Sequence, residues 1–273
     1  MNPTTVLLLG AGRMGGAMIE GWTSAGPVAL GELLIRDPQP GAEALAAADD
    51  GATLNPSDSE LVQAATVIVA VKPQMWREVA AVVEPHLAQD AVIISIAAGV
   101  SIASLAEVFG ERGIARVMPT TAVTIGQGTA SICAATERAR HRAHALFDTI
   151  AKTVDIEDED LMHAATAVSG SGPAYLYAFV EALEAAAIKA GFAPDDAATL
   201  ARSTVTGAAR LMTLSDASPA ELRAQVTSPG GTTQAALEVL RGEGGLAALL
   251  NDAVTAAVKR SRMSISTPMR VVG

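Results

Sequence analysis

The sequence predicts an α/β protein: a doubly wound parallel sheet in the N-terminal part, followed by an all-α C-terminal part. Three observations carry this. Short, continuously apolar runs recur between residues 6 and 118, at the length of strands buried on both faces. Amphipathic helical patterns separate those runs, and alternating units of this kind build right-handed crossovers around a parallel sheet. After the acidic stretch Asp155–Asp160 the strand signals cease and only helical patterns remain.

In chain order, the expected strands are Val6–Leu9, Leu33–Ile35, Val67–Val71, Val92–Ile96 and Ile114–Met118, with a further strand around Thr129–Cys133. The helices between them are Met14–Ser24, a weaker one at Gly41–Ala48, Met75–Leu87, and Ile102–Phe109 behind Ser101 as N-cap. The acidic run is read as a solvated surface that opens a helix, with acids near its positive end. It divides the chain into a first domain over 1–160 and a second over 161–273. In the second, helices are expected at Ala174–Ala190, Asp195–Leu214, Ala220–Val226, Thr233–Leu240 and Leu246–Arg262. Ser218-Pro219-Ala220-Glu221 has the form of a capping box with proline at the first helical position. These helices are apolar on more than one side, as in Val180–Ile188, so they must be covered on several faces. An intertwined dimer or a large monomeric bundle would do that.

The net charge of −10 lies wholly in residues 1–160, which carry 20 acids and 10 bases against 9 of each in the remainder. No basic stripe suits a nucleic acid. The apolar stretch Val6–Leu9 is too short for a membrane span, and no signal-peptide pattern precedes it, so a cytoplasmic protein is expected. Cys133 is the only cysteine, which excludes an intramolecular disulfide and a cysteine-based metal cluster. No metal ligand set is expected.

Chemistry first appears where Val6–Leu9 runs into Gly10-Ala11-Gly12-Arg13-Met14-Gly15. The first glycine permits the tight turn, the second lets backbone approach a pyrophosphate, and the third lets helix and strand pack closely. The helix start then presents free N–H groups and its positive dipole end. With strand, helix and second strand in place, the pattern is that of a Rossmann-type dinucleotide site, for NADPH or NADH. The second strand ends at Arg36-Asp37, about twenty residues beyond the last glycine, where the adenosine ribose is read. Asp37 would accept ribose hydroxyls and favour NADH; Arg36 would pair with a 2′-phosphate and favour NADPH. Ala70-Val71-Lys72-Pro73 and Ala97-Ala98-Gly99 follow the third and fourth strands and border the nicotinamide end of the cleft. Lys72 is there either a catalytic candidate or a turn residue valued for its backbone.

Two small-residue clusters follow in the helical part, Ser169-Gly170-Ser171-Gly172-Pro173-Ala174-Tyr175 and Ser228-Pro229-Gly230-Gly231-Thr232-Thr233. Each is either a plain helix–helix turn or part of a binding surface. Amides of Gly231, Thr232 and Thr233 at a helix start suit a carboxylate, and the Thr233 hydroxyl can bond a reacting nitrogen.

In order and spacing, Gly10–Gly15, Ala70–Pro73, Ser95–Gly99, Val168–Tyr175 and Ser228–Thr233 resemble the pyrroline-5-carboxylate reductases over essentially the whole chain. The last two motifs are the specific ones, since the first is shared by many dehydrogenases. The resemblance implies reduction of the cyclic imine 1-pyrroline-5-carboxylate to L-proline by NADPH or NADH, the last step of proline biosynthesis. It also implies a homodimer formed through the helical domain, assembled in many members into a decamer. It makes Thr233 and Ser228 the catalytic candidates. Ser171, Gly172, Pro229, Gly230, Gly231 and Thr232 become substrate-binding candidates. One segment departs from the family: Met118-Pro119-Thr120-Thr121-Ala122 stands where Met-Pro-Asn-Thr-Pro is usual, which bears on the loop near the nicotinamide.

The chemistry agrees with the residues present. A protonated imine is already a good hydride acceptor, so positioning and a hydrogen bond to nitrogen matter more than a strong acid. A ketone or alcohol substrate would call for a Lys, His or Tyr acid–base group. The 3-hydroxyacid dehydrogenases place a catalytic lysine one turn after their glycine-rich segment, whereas Tyr175-Leu176-Tyr177-Ala178-Phe179 has none. His163, the nearest histidine, reads as structural. A non-catalytic, redox-responsive dinucleotide-binding dimer is the remaining alternative.

Overall fold

The computed structural model describes residues 5–266. By its contacts the chain forms two compact units, Met1–Gly170 together with Val258–Gly273, and Ser171–Ala257. The first unit therefore runs beyond residue 160 and takes back the end of the last helix.

Eight strands form one sheet in the order β3-β2-β1-β4-β5-β6-β7-β8. They are β1 (Val6–Leu9), β2 (Leu33–Arg36), β3 (Thr53–Leu54), β4 (Thr66–Val69), β5 (Val92–Ser95), β6 (Ile114–Pro119), β7 (Gly128–Ala134) and β8 (Ala151–Asp155). Strands β1 to β6 are parallel throughout, and all of them except β3 were expected from their apolar runs. The sheet is not parallel to its edge. β7 runs antiparallel to β6, with Arg116 opposite Cys133 and Val117 opposite Ile132, and β8 then pairs parallel to β7. A short helical turn over Thr121–Ile125 links β6 and β7, short enough for antiparallel neighbours.

Five helices cover the sheet: α1 (Arg13–Ala25), α2 (Ala42–Asp49), α3 (Trp76–Val83), α4 (Ile102–Phe109) and α5 (Glu137–Phe147). Alternate strand residues supply two separate cores. Val6, Leu8, Ile35 and Ile94 pack with Met18, Trp22, Ala44 and Phe147 on one face. Leu7, Leu9, Val67 and Ile93 pack with Trp76, Val83, Leu105 and Phe109 on the other. Ser101 caps α4 through a 3.1 Å bond from the Ser104 amide, as its sequence position predicts.

Several expectations shift, each for a local reason. The third strand stops at Val69, because Ala70 and Val71 leave the sheet to meet Gly10. Helix α3 ends at Val83, where Pro85 tightens the chain into a 3-10 turn over Glu84–His86. β3 and β8 have no apolar run: β3 is two residues long and β8 is a half-exposed edge strand. The acidic run is not wholly solvated either. Asp155 ends β8, and Glu159 holds the buried Arg116 guanidinium at 2.7 Å while accepting the Ile102 amide at 2.8 Å. After it, α6 (Leu161–Ala165) runs into a wide π-helical turn over Thr166–Gly170.

The second unit is helical: α7 (Gly172–Lys189), α8 (Pro194–Leu214), α9 (Pro219–Gln225), α10 (Thr232–Leu240) and most of α11 (Leu246–Ser266). Ser218 and Glu221 form the expected capping box at α9, with Pro219 at its first position. Only Ala197 and Ala201 of this unit are buried in the single chain, while Leu176, Tyr177, Phe179, Leu211, Val239 and Leu249 are exposed. No helix among the described residues is long and apolar enough to cross a membrane.

Candidate functional site

The sheet order reverses between β1 and β4, and the crevice outside the strand ends at such a switch point is where open α/β sheets bind ligands. Gly10 follows β1 there. Its φ of +94° is open to glycine but strained for other residues. A Cβ on Gly10 would lie 2.9 Å from Val71 Cγ1, and one on Gly15 would lie 2.3 Å from the Gly10 carbonyl oxygen. These two glycines let β1, the start of α1 and the turn after β4 close on one another. Gly12 differs, since nothing stands within 4 Å of its would-be Cβ. Gly12 is also the residue before α1, with extended backbone and no side-chain cap. The turn thus offers bare backbone, an uncapped helix start and open space: a cradle that fits a pyrophosphate.

Gly10, Gly12, Arg36, Asp37, Ala70, Val71 and Lys72 line one cleft of about 890 Å³, joined by Asn55, Pro56 and residues of α3. The Asp37 carboxylate lies across the glycine turn, accepting the Ala11 amide at 2.7 Å through Oδ2 and the Gln39 amide at 2.8 Å through Oδ1. Asn55 in turn accepts the Asp37 amide at 3.0 Å through its side chain. It does so from a left-handed backbone, φ 50°, which asparagine tolerates better than other side chains. Arg36 is paired with Asp58 at 2.9 Å. Sequence reasoning found Arg36 and Asp37 but missed Asn55 and Asp58. The Asn55-Pro56 pair is a turn signal, and only the fold brings that turn beside the end of β2.

Arg13 and Met14 open α1, while Ala97, Ala98 and Gly99 follow β5, and Gly99 has positive φ. Lys72 is exposed in the turn after β4, where its backbone oxygen accepts the Met75 amide at 2.9 Å. Thr120 follows β6 and is buried. Its hydroxyl accepts the Thr129 amide at 3.0 Å, and its own amide donates to the Thr129 oxygen at 2.9 Å. Threonine therefore ties the turn of the departing segment back onto β7.

In the second unit, Ser171 precedes α7, which opens with Gly172. Ser228, Pro229 and Gly230 form the loop before α10, Gly231 is its N-cap and Thr232 and Thr233 are its first residues. One expectation changes. The Gly231 amide donates to the Ser228 oxygen at 3.0 Å and the Gly230 amide to Gln234 Oε1 at 2.8 Å, so Gly231 has no amide to spare. The amides without a helical partner at this start are those of Thr232, Thr233 and Gln234. His163 is buried in the first unit, with Nδ1 2.9 Å from Ser261 Oγ. Burial, with Arg116 and Arg262 nearby, holds its pKa below the usual histidine value.

A doubly wound sheet with a glycine cradle at its switch point, followed by a helical unit, defines a nicotinamide-dinucleotide-dependent oxidoreductase. Residues 5–99 match the model of the family described as NADP oxidoreductase coenzyme F420-dependent, and residues 159–264 match that of pyrroline-5-carboxylate reductase dimerisation. The pyrroline-5-carboxylate reductase of Pisum sativum is 37% identical over 262 residues, covering 94% of this chain and 95% of its own. Among solved structures, the pyrroline-5-carboxylate reductase of Coxiella burnetii aligns with a TM-score of 0.88 at 28% identity, over 98% of this chain and 100% of that one. The Plasmodium falciparum pyrroline carboxylate reductase with NADP bound aligns with a TM-score of 0.82 at 27% identity, over 97% and 99%. This chain belongs to the pyrroline-5-carboxylate reductase family.

Proposed function

We propose that this chain reduces 1-pyrroline-5-carboxylate to L-proline with NADPH or NADH as hydride donor, in the cytoplasm, as a homodimer able to assemble further into a decamer. The observation that carries the reading is that one chain holds both the glycine cradle at the β1/β4 switch point and, in its helical unit, the Ser228–Thr233 helix start. Residues Gly10 to Gly15, with Asp37 and the turns Ala70–Pro73 and Ala97–Gly99, would hold the dinucleotide. The bound cofactor supplies the hydride.

On the substrate side, Thr232, Thr233 and Gln234 amides at the start of α10 suit a carboxylate, aided by the helix dipole. Gly230 and Gly231 keep that approach free of side chains, and the Gly231–Ser228 bond sets the loop's shape. Thr233 would hydrogen-bond the ring nitrogen and orient the C=N bond. Its hydroxyl is too weak an acid to be the proton source, so its part is to position. Ser228 would fix the carboxylate from the loop, and Ser171 and Gly172 would bound the substrate at the start of α7. No strong acid is required, because the iminium carbon is electrophilic at neutral pH.

The dimer reading is supported by the second unit's exposed leucine, valine and aromatic side chains, which one chain leaves in water. Purified protein supplied with pyrroline-5-carboxylate and either cofactor should consume it, followed by nicotinamide absorbance. Tight cofactor binding with no turnover on either cofactor would overturn the reductase reading.

A further inference from the structure

The ribose end of the cleft holds adjacent side chains of opposite charge, and the structure treats them differently. The Asp37 carboxylate is held by backbone amides alone. Two amides, of Ala11 and Gln39, bind its two oxygens, and Asn55 pins its own amide. Each carboxylate oxygen still has acceptor capacity, as a pair of ribose hydroxyls requires. A 2′-phosphate in the same place would face a fixed like charge.

Arg36 is the cation that would offset that charge, and it is already engaged. Its guanidinium donates to Asp58 Oδ1 at 2.9 Å, and His86 Nε2 stands 3.7 Å from the other oxygen of Asp58. Asp58 does not itself line the cleft. It opens the turn over Asp58–Gln63, whose start is fixed by the Ser57–Glu60 capping box. The other cleft-lining cation, Lys72, follows β4, on the far side of β1 from β2 and about 10 Å away by strand spacing. Arg13 opens α1 on the pyrophosphate side of the turn.

We propose that Asp58 is a positioning residue for cofactor choice: by occupying Arg36 it leaves Asp37 to read the adenosine ribose alone, so this chain takes NADH in preference to NADPH. The inference rests on the dinucleotide reading of the cleft but not on the identity of the imine. Arg36 is the residue Asp58 acts through. Freed of its partner, the same guanidinium becomes a bidentate phosphate ligand beside Asp37.

The test is a fluorescence titration of the full chain with NADH and with NADPH, without substrate, for wild type, Asp58→Asn, Asp58→Ser and the double variant Asp58→Asn with Arg36→Gln. Wild type should bind NADH about tenfold or more tightly than NADPH, the ratio expected of one unfavourable charge contact. Either Asp58 substitution should tighten NADPH by about tenfold and leave NADH within about threefold, and Arg36→Gln should abolish the gain. Melting curves identify any variant that fails to fold, and Asp58→Ser substitutes for Asp58→Asn in that case. Equal or tighter NADPH binding by wild type would overturn the proposal. So would a ratio unmoved by both Asp58 variants, or a gain that survives Arg36→Gln. Failure to bind either dinucleotide would sink the cleft reading itself, which is a different result from a wrong preference.

Discussion

Gly12 and Thr233 carry the functional reading at the scale of single residues, and each makes a separable prediction. Gly12 is the cradle glycine with open space above it, so a side chain there enters the volume a pyrophosphate needs and nothing else. Gly12→Val should weaken dinucleotide binding by at least about tenfold with an unchanged melting temperature. Unchanged affinity in a titration would remove the turn from the site. On the proposed reading, Thr233→Ala removes the hydrogen bond that would orient the ring nitrogen, and it should lower turnover by about a hundredfold while cofactor affinity holds. Rescue by Thr233→Ser is expected, because the hydroxyl and not the methyl does the work. The glycines were legible in the sequence, since their spacing directly encodes backbone approach. Asn55 and Asp58 were not, because both act through a turn that only the sheet brings beside β2.

Elements are joined by a few long contacts, and two of them can be tested by stability. Trp22 of α1 is buried, donates its indole N–H to the Leu146 oxygen at 2.9 Å and meets Phe147 edge to face, tying α1 to α5. Trp22→Ala should cost about 3–5 kcal/mol, read as a fall in the urea midpoint. His144 of α5 is bonded by Asp148 at 3.0 Å and by Asp155 of β8 at 3.2 Å, and those bonds raise its pKa above the ordinary value. A raised value in the fold means the charged form is favoured by folding. The stabilisation is full below about pH 6.5 and is lost as pH rises through the raised value. His144→Gln should therefore lower the melting temperature at about pH 5.5 and change little at about pH 8.5. A deficit that grows with pH would refute the assignment. His163 has the opposite sign: its lowered value makes folding less favourable once the unfolded chain can take a proton there. Helix α5 was missed as a sequence pattern because arginines and histidines fill it. Ala139, Ala143, Leu146 and Phe147 nevertheless lie at helical spacing behind the Thr136 cap.

At the scale of the whole molecule, the two units ask for different things. The first is closed on itself by two cores, one on each side of the sheet. The second leaves Phe179, Leu211 and Val239 in water although its helices are apolar on several sides. A second copy of the chain, as in the proposed homodimer, would cover such a surface. On that reading, Leu211→Asp should convert the proposed dimer to a monomer in sedimentation velocity and abolish turnover, while nucleotide binding persists in the first unit. A variant that stays dimeric would move the interface elsewhere.

The sequence by itself determined the parallel strands β1, β2, β4, β5 and β6, the cradle after β1, the caps of α4 and α9 and the family. Apolar periodicity, glycine spacing and capping chemistry are local, so each is written within a dozen residues. Tertiary structure alone decided the antiparallel direction of β7 and the edge strand β8, since the partner and direction of pairing are not encoded in a single strand's composition. It also decided that Glu159, itself only partly covered, is the partner of the buried Arg116, and that Arg36 is engaged by Asp58 while Asp37 faces the glycine turn. An ion pair depends on distance through space, and residues 22 or 43 apart in the chain meet only once the sheet is formed.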